Sequence, residues 1–262
     1  MALATPYVDQ LRSPQPCDHL IQLYTDEAFL NRVVVQFLST GLAAGEAGVI
    51  IATAAHRSMF TDGLRAAGLD AAAMQARGQL VLRDARASLS EFMVDGMPDR
   101  DRFFDLVRPV LAGFTKAGYS RTRLYGEMVD LLWNHSMPAT VALEQLWNEV
   151  LADTRVSLLC AYRIDNFDRN IHRGVLHELT ACHSELIPVE DYDRLTRAVA
   201  RAYEDVFGPT GEAELLSERV ASLSQATTRM PAPQAALLGL GRLAPLVADS
   251  VIDRARHHYA RP

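Results

Sequence analysis

Residues 19–53 read HLIQLYTDEAFLNRVVVQFLSTGLAAGEAGVIIAT. An apolar run (Leu20, Ile21, Leu23) leads into Tyr24-Thr25-Asp26-Glu27, then an amphipathic stretch, then a second apolar run ending at Ala52. Phe29, Val33, Phe37 and Leu38 fall on one helical face, so the order is strand, tight turn, helix, strand. That order opens a nucleotide-binding fold. Such a fold needs a glycine-rich turn ending in lysine, because backbone N–H groups cradle phosphate only where the chain approaches closely. Here the turn carries two carboxylates, which repel phosphate.

The same alternation continues outward. Short apolar runs at Leu20–Tyr24, Val49–Ala52, Leu80–Arg83, Thr122–Tyr125 and Val156–Ala161 predict strands buried on both faces. Helices are predicted at Glu27–Ala43, His56–Ala67, Ala87–Met93, Arg100–Ala117 and Thr140–Asp153, with Gly45, Gly68, Gly78 and Gly118 at their ends. The expected class is α/β: a three-layer α/β/α domain with a mostly parallel central sheet. Beyond about residue 190 no strand pattern remains. Helices are predicted at Asp191–Val206, Glu212–Ala226 and Ala235–His258, a C-terminal helical appendage. The expected organisation is a flexible arm over 1–17, a core domain over 18–190 and a helical region over 191–262.

Composition narrows the function. A net charge of −6 gives no electrostatic footprint for nucleic acid or anionic membrane. No apolar run is long enough to span a bilayer, and the first residues, MALATPYVDQLRSPQPCD, lack the basic and apolar regions of a secretion signal. Three cysteines, Cys17, Cys160 and Cys182, do not make a disulfide framework. A cytoplasmic, self-associating protein is expected.

In an open parallel sheet, ligands bind outside the carboxyl ends of the strands. The residues there are Tyr24 and Asp26, then Thr53, His56 and Arg57, then Asp84, then Tyr125 and Glu127, then Tyr162. As a group they suit a small organic molecule with hydrogen-bonding groups and an apolar body. Singly, each has a plainer explanation: Thr53 and Asp84 stand where helix caps belong. Glu127 stands where a hydrolytic site would put a general base, but no nucleophile or phosphate cradle accompanies it, so no catalytic residue is expected. Trp133 and Trp147 lie on apolar helical faces, as core residues do, and Cys160 reads as a buried strand thiol. In LHELTACHSELIP (176–188), His172, His177, Cys182 and His183 offer metal-binding side chains, but the spacing does not place His177 and His183 on one face. His177-Glu178-Leu179-Thr180 is similar to the start of a histidine-kinase phosphoacceptor, yet its continuation differs. No metal site and no cofactor are expected.

These segments together resemble a known family. HLIQLY (19–24) with Asp26, Ala52-Thr53 with His56-Arg57, Asp84-Ala85 with FMVDG (92–96), YGEMV (125–129) with Leu132-Trp133, Leu143-Glu144 with LWN (146–148), SLLCAY (157–162), and Cys182 with His183-Ser184 and Pro188 occur in order. The set resembles the MEDS domain of methanogens, methylotrophs and DcmR-type regulators, from about Asp18 to Asp191. That resemblance implies a RecA/KaiC-like domain without its phosphate loop, sensing small molecules (hydrocarbon derivatives have been proposed) and joined to histidine kinases or DNA-binding regulators. Two departures stand out: no kinase or helix-turn-helix half is recognisable, and residues 183–185 read His-Ser-Glu, where family members often carry a second histidine. The expected function is a non-enzymatic sensory module. It would bind a small organic ligand and signal to a separate histidine kinase or transcription regulator. Ligand contact would reorder the Tyr24–Glu27 and Gly126–Val129 loops and bias the C-terminal helices. The alternatives are a degenerate nucleotide-binding ATPase-like enzyme, which would require glycine and lysine in the first turn, and a structural assembly subunit.

Overall fold

The computed structural model describes residues 10–208, 211–224 and 228–261. Its centre is a six-stranded sheet in the order β3-β2-β6-β7-β1-β8. The strands are β1 (His19–Tyr24), β2 (Ala47–Ala52), β3 (Leu80–Asp84), β6 (Thr122–Gly126), β7 (Val156–Arg163) and β8 (Glu185–Ile187). The β2–β3, β2–β6 and β6–β7 pairs run parallel, with Ile51 opposite both Arg83 and Gly126. Every residue of β1, β2 and β6 is buried, as strands covered on both faces require. The fold is three-layer α/β/α with a C-terminal helical region, as the alternation of patterns predicts.

The described residues fall into two compact units. The larger comprises residues 10–22 and 26–162. Its helices are α1 (Glu27–Ala43), α2 (Ala54–Ala66), α3 (Ala71–Ala76), α4 (Ala85–Phe92), α5 (Arg100–Lys116), α6 (Asp130–Trp133) and α7 (Met137–Ala152). Strand order decides where a site can form. From β1 to β2 to β3 the chain moves one way along the sheet, and from β3 to β6 to β7 it moves back. Right-handed crossovers therefore put α1 and α2 on one face and α4, α5 and α7 on the other. Accordingly α1 packs on α2, and α4 on α5. Adjacent strands β2 and β6 then send their chains to opposite faces, and a crevice opens between their carboxyl ends.

Local chemistry sets the element ends. Asp26 caps α1 by accepting from the N–H groups of Ala28 and Phe29 at 3.2 and 3.1 Å. Ser136 caps α7 and Pro138 occupies its first turn, so that helix starts at Met137, three residues earlier than the apolar pattern alone indicates. β4 (Met93–Val94) and β5 (Met97–Pro98) form a small hairpin not anticipated from the pattern. Its turn is Asp95-Gly96, both with positive φ (50° and 79°), the geometry that favours this dipeptide. Trp147 is core, 1% exposed, whereas Trp133 is only half-buried: α6 is a single turn with no buried face, and the indole N–H donates to Asp130. Residues 10–17 of the N-terminal arm are tied down. Leu11 is buried, Ser157 donates to the Gln15 carbonyl, and the Cys17 N–H donates to the Val156 carbonyl.

The smaller unit comprises residues 23–25 and the described residues from 163 onward. It contains a π-helical turn (Ile171–Val175), α8 (Leu176–Ala181), β8, α9 (Tyr192–Phe207), α10 (Gly211–Ser224), α11 (Ala232–Leu243) and α12 (Pro245–Ala260). In α9, Leu195, Ala198, Val199, Ala202 and Tyr203 make one buried stripe, the i, i+3, i+4, i+7, i+8 pattern of an amphipathic helix. The Tyr203 hydroxyl donates to the Ala236 carbonyl on α11. The single helix predicted over Ala235–His258 is instead two, because Pro245 has no N–H to donate and its ring clashes with the preceding turn. The predicted Glu212–Ala226 helix is α10 as far as Ser224, and residues 225–227 lie outside the described residues. No helix among the described residues is long and apolar enough to cross a membrane.

Candidate functional site

The β2–β6 crevice holds a carboxylate–imidazole–carboxylate chain. Glu127 follows β6 directly and is buried. Its carboxylate accepts from the Thr53 N–H at the start of α2, from His56 Nδ1, and from the Tyr125 hydroxyl at 3.4 Å. The opposite ring nitrogen, Nε2, lies 2.6 Å from Glu27 Oε2 in the first turn of α1. Phe60 stacks at a tilt on the His56 ring, and Tyr125 meets Phe60 edge-on at 4.9 Å. The hydrogen bond to Glu127, helped by the charges of Glu127 and Glu27, raises the His56 pKa from 6.5 to about 9 despite desolvation. His56 is therefore an imidazolium at neutral pH. Beside it, Arg57 Nη1 binds Asp84 at 2.7 Å and the Ala52 carbonyl at 2.8 Å. The Ala87 N–H first, and Arg57 second, hold the Asp84 carboxyl below its usual range.

The predicted strand-end residues thus divide. Thr53, His56, Tyr125 and Glu127 come together, with Arg57 and Asp84 alongside. Asp26 is a helix cap. Tyr24 is buried in the smaller unit, and Tyr162 turns into a different cluster, described below. Thr53 occupies the capping position of α2 without a side-chain cap bond; its backbone, not its hydroxyl, does the work. Glu27, absent from the predicted set, completes the chain. Its signal was a second acid in the turn that should have held phosphate.

A folded-state pKa above the unfolded value means that the native protein holds the His56 proton more tightly. That stabilisation is complete below pH 6.5 and is lost as pH rises towards about 9. Wild-type thermal stability is expected to fall across this window, and His56→Gln is expected to flatten the fall. A pH series of melting curves for both proteins measures it.

A second cluster lies inside the larger unit, on the sheet face covered by α7. His19 opens β1, Cys160 stands in mid-β7, and Glu144 and Asn148 sit one turn apart on α7; all but Asn148 are fully buried. His19 Nε2 lies 3.2 Å from Glu144 Oε2 and 3.4 Å from Cys160 Sγ, and Sγ lies 3.6 Å from the same carboxylate oxygen. His19 Nδ1 donates to Asn148 Oδ1 at 2.8 Å. This contact orients the ring so that Nε2 faces the thiol and the carboxylate. The Tyr162 hydroxyl donates to Glu144 Oε1. Imidazole, thiol and carboxylate donors this close could hold a metal ion. In the sequence, metal-binding side chains share a segment only within 172–183, and Cys160, weighed as a redox or metal position, has no partner near it in sequence. In that segment His172, in the π-helical turn, instead donates from Nε2 to the Asn166 carbonyl, 2.6 Å away. The missed set is spread over 141 residues. Its one local signal was polar Glu144 and Asn148, four apart on an otherwise apolar helix face.

Comparison with curated proteins returns no match. A family model, by contrast, matches residues 18–184, nearly two-thirds of the chain and the whole segment that carries both clusters. The chain belongs to the MEDS family, the methanogen/methylotroph, DcmR sensory domain.

Proposed function

We propose that this sensory-family protein works through a transition-metal centre held by His19, Glu144 and Cys160, without catalysis of its own, and signals to a separate regulator protein. The carrying observation is the buried convergence of His19 Nε2, Cys160 Sγ and Glu144 Oε2 within 3.2–3.6 Å. Three different donors do not gather in a core for packing alone, since burying polar groups costs free energy unless they are satisfied together. A mixed N, S, O set suits zinc, iron or cobalt in the divalent state rather than magnesium or calcium, which take oxygen alone. Asn148 and Tyr162 orient the ligands from behind, as outer partners do in metal sites. In binding, the Cys160 thiol proton is released and the sulfur lone pair goes to the ion. Cytoplasmic location and a small organic effector are part of this proposal. The ATPase-like alternative would need phosphate to approach a turn that carries Asp26 and Glu27.

Cobalt(II) titration tests it. Wild type is expected to show a thiolate-to-cobalt charge-transfer band at one equivalent. Cys160→Ala abolishes the band, and Asn148→Ala weakens binding about 10–100-fold. A wild-type protein that binds cobalt with no thiolate band, or a Cys160→Ala protein that binds as tightly, overturns the proposal.

A further inference from the structure

The His56 chain has two unlike ends. On the Nδ1 side, Glu127 is almost wholly buried, its side chain 4% exposed, and it is pinned by the Thr53 N–H and the Tyr125 hydroxyl. That bond is part of the scaffold. On the Nε2 side, the Glu27 side chain is 42% exposed and reaches the ring from the edge of the crevice. It sits in the first turn of α1, where a released carboxylate remains favoured by the helix N-terminus. One ring nitrogen is committed, and the other carries a partner that can leave.

We infer that the Nε2 edge of His56 receives a small monocarboxylate, and that Glu27 occupies the place of that ligand's carboxylate until it is displaced. The charges support this class over others. His56 and Arg57 supply two positive charges; Glu127 and Asp84 supply two negative ones. With Glu27 swung away, an incoming monocarboxylate restores the charge the crevice already carries. A phosphate or dicarboxylate adds a further negative charge beside Glu127, Asp84 and the released Glu27, which costs Coulomb energy. A neutral alcohol or amide forfeits the charge-assisted bond, roughly twice as strong as its neutral counterpart. Exchange of one carboxylate for another leaves the Glu127 bond in place, while freeing the first turn of α1 from α2. The inference is independent of the metal centre, which shares no residue with this site.

Acetate, with chloride at matched ionic strength as control, is the probe, and the His56 ring resonances in ¹⁵N-histidine-labelled full-length protein are the readout. Glu27→Gln removes the competing charge at an exposed position. It is expected to show a saturable acetate-dependent shift at Nε2 with half-saturation at about 1 mM, the affinity of a single charge-assisted pair. Wild type is expected to need at least about ten times more acetate, because its own side chain competes at high effective concentration. His56→Gln in the Glu27→Gln background abolishes the saturable response, followed there by the Glu127 amide in uniformly ¹⁵N-labelled protein. Phosphate is expected to act at least about tenfold more weakly than acetate. No saturable shift in Glu27→Gln, or a response that survives loss of His56, overturns the site. Equal affinity for phosphate overturns the monocarboxylate assignment. An Nδ1 shift in Glu27→Gln that stays in the wild-type range shows the Glu127 side of the crevice folded, so a missing acetate response there counts against the site.

Discussion

Arg123→Met is expected to lower the stability of the protein by about 3–5 kcal/mol, the cost of removing one partner from a buried charge network. Arg123 is the second residue of β6, and its side chain is 4% exposed. Its Nε donates to Glu46 at 2.6 Å, Nη1 to the carbonyls of Leu11 and Phe37, and Nη2 to the carbonyl of Arg12. Methionine matches the length but leaves a carboxylate and three carbonyls without this donor. Lysine is no rescue, because one ammonium cannot reproduce a planar fork spread over four acceptors. The path of the guanidinium also explains Gly41 in the last turn of α1. A Cβ there would lie 2.2 Å from Arg123 Nε and 2.5 Å from its Cδ, so Gly41→Ala is expected to destabilise despite the higher helix propensity of alanine. For a domain of this size the arginine loss corresponds to a drop of about 6–20 °C in melting temperature. Calorimetry of the two variants measures it, and a shift of under 2–3 °C for Arg123→Met would show that the network contributes little.

Trp147→Ala is expected to cost a similar amount, about 3–5 kcal/mol, by opening a cavity at the base of α7. The indole is 1% exposed and meets Phe103 edge-on at 4.9 Å; Phe103 in turn meets Phe92 at 5.4 Å and Phe104 at 5.5 Å, both near perpendicular. Offset edge-to-face geometry adds to what burial alone supplies. Trp147→Phe, which keeps a ring against Phe103, is expected to lose much less. Urea unfolding followed by far-UV circular dichroism gives both values. A Trp147→Ala protein as stable as wild type would mean that α7 repacks, and the Glu144 and Asn148 positions with it.

The parts of the fold that were legible in the sequence are those governed by local periodicity. The 19–53 stretch gives β1, α1 and β2 almost to the residue, because buried strands read as continuous apolar runs and α1 carries its own cap. The Asp95-Gly96 hairpin and three-residue β8 were missed, since each is too short to show a period. The helix over Ala235–His258 was overextended because its apolar spacing continues through Pro245. The strand-end site was legible in its composition, since topology alone brings β2 and β6 together, but not in its pairing. Nothing local tells that Glu27 reaches across to His56. The His19, Glu144 and Cys160 set was illegible for a related reason: its members meet only once β1, β7 and α7 are stacked. Sequence separation hides such a set, whereas burial of Glu144 on an apolar helix exposes it.

The acidic first turn also bears on what the protein ignores. Cells keep nucleoside triphosphates abundant, and a strand–turn–helix scaffold of this kind would be occupied by them if its first turn accepted polyphosphate. Asp26 is committed to capping α1 and Glu27 to His56, so both carboxylates stand at the turn where a γ-phosphate would be cradled. The consequence is local exclusion: a polyphosphate at that turn would meet two carboxylates and no lysine.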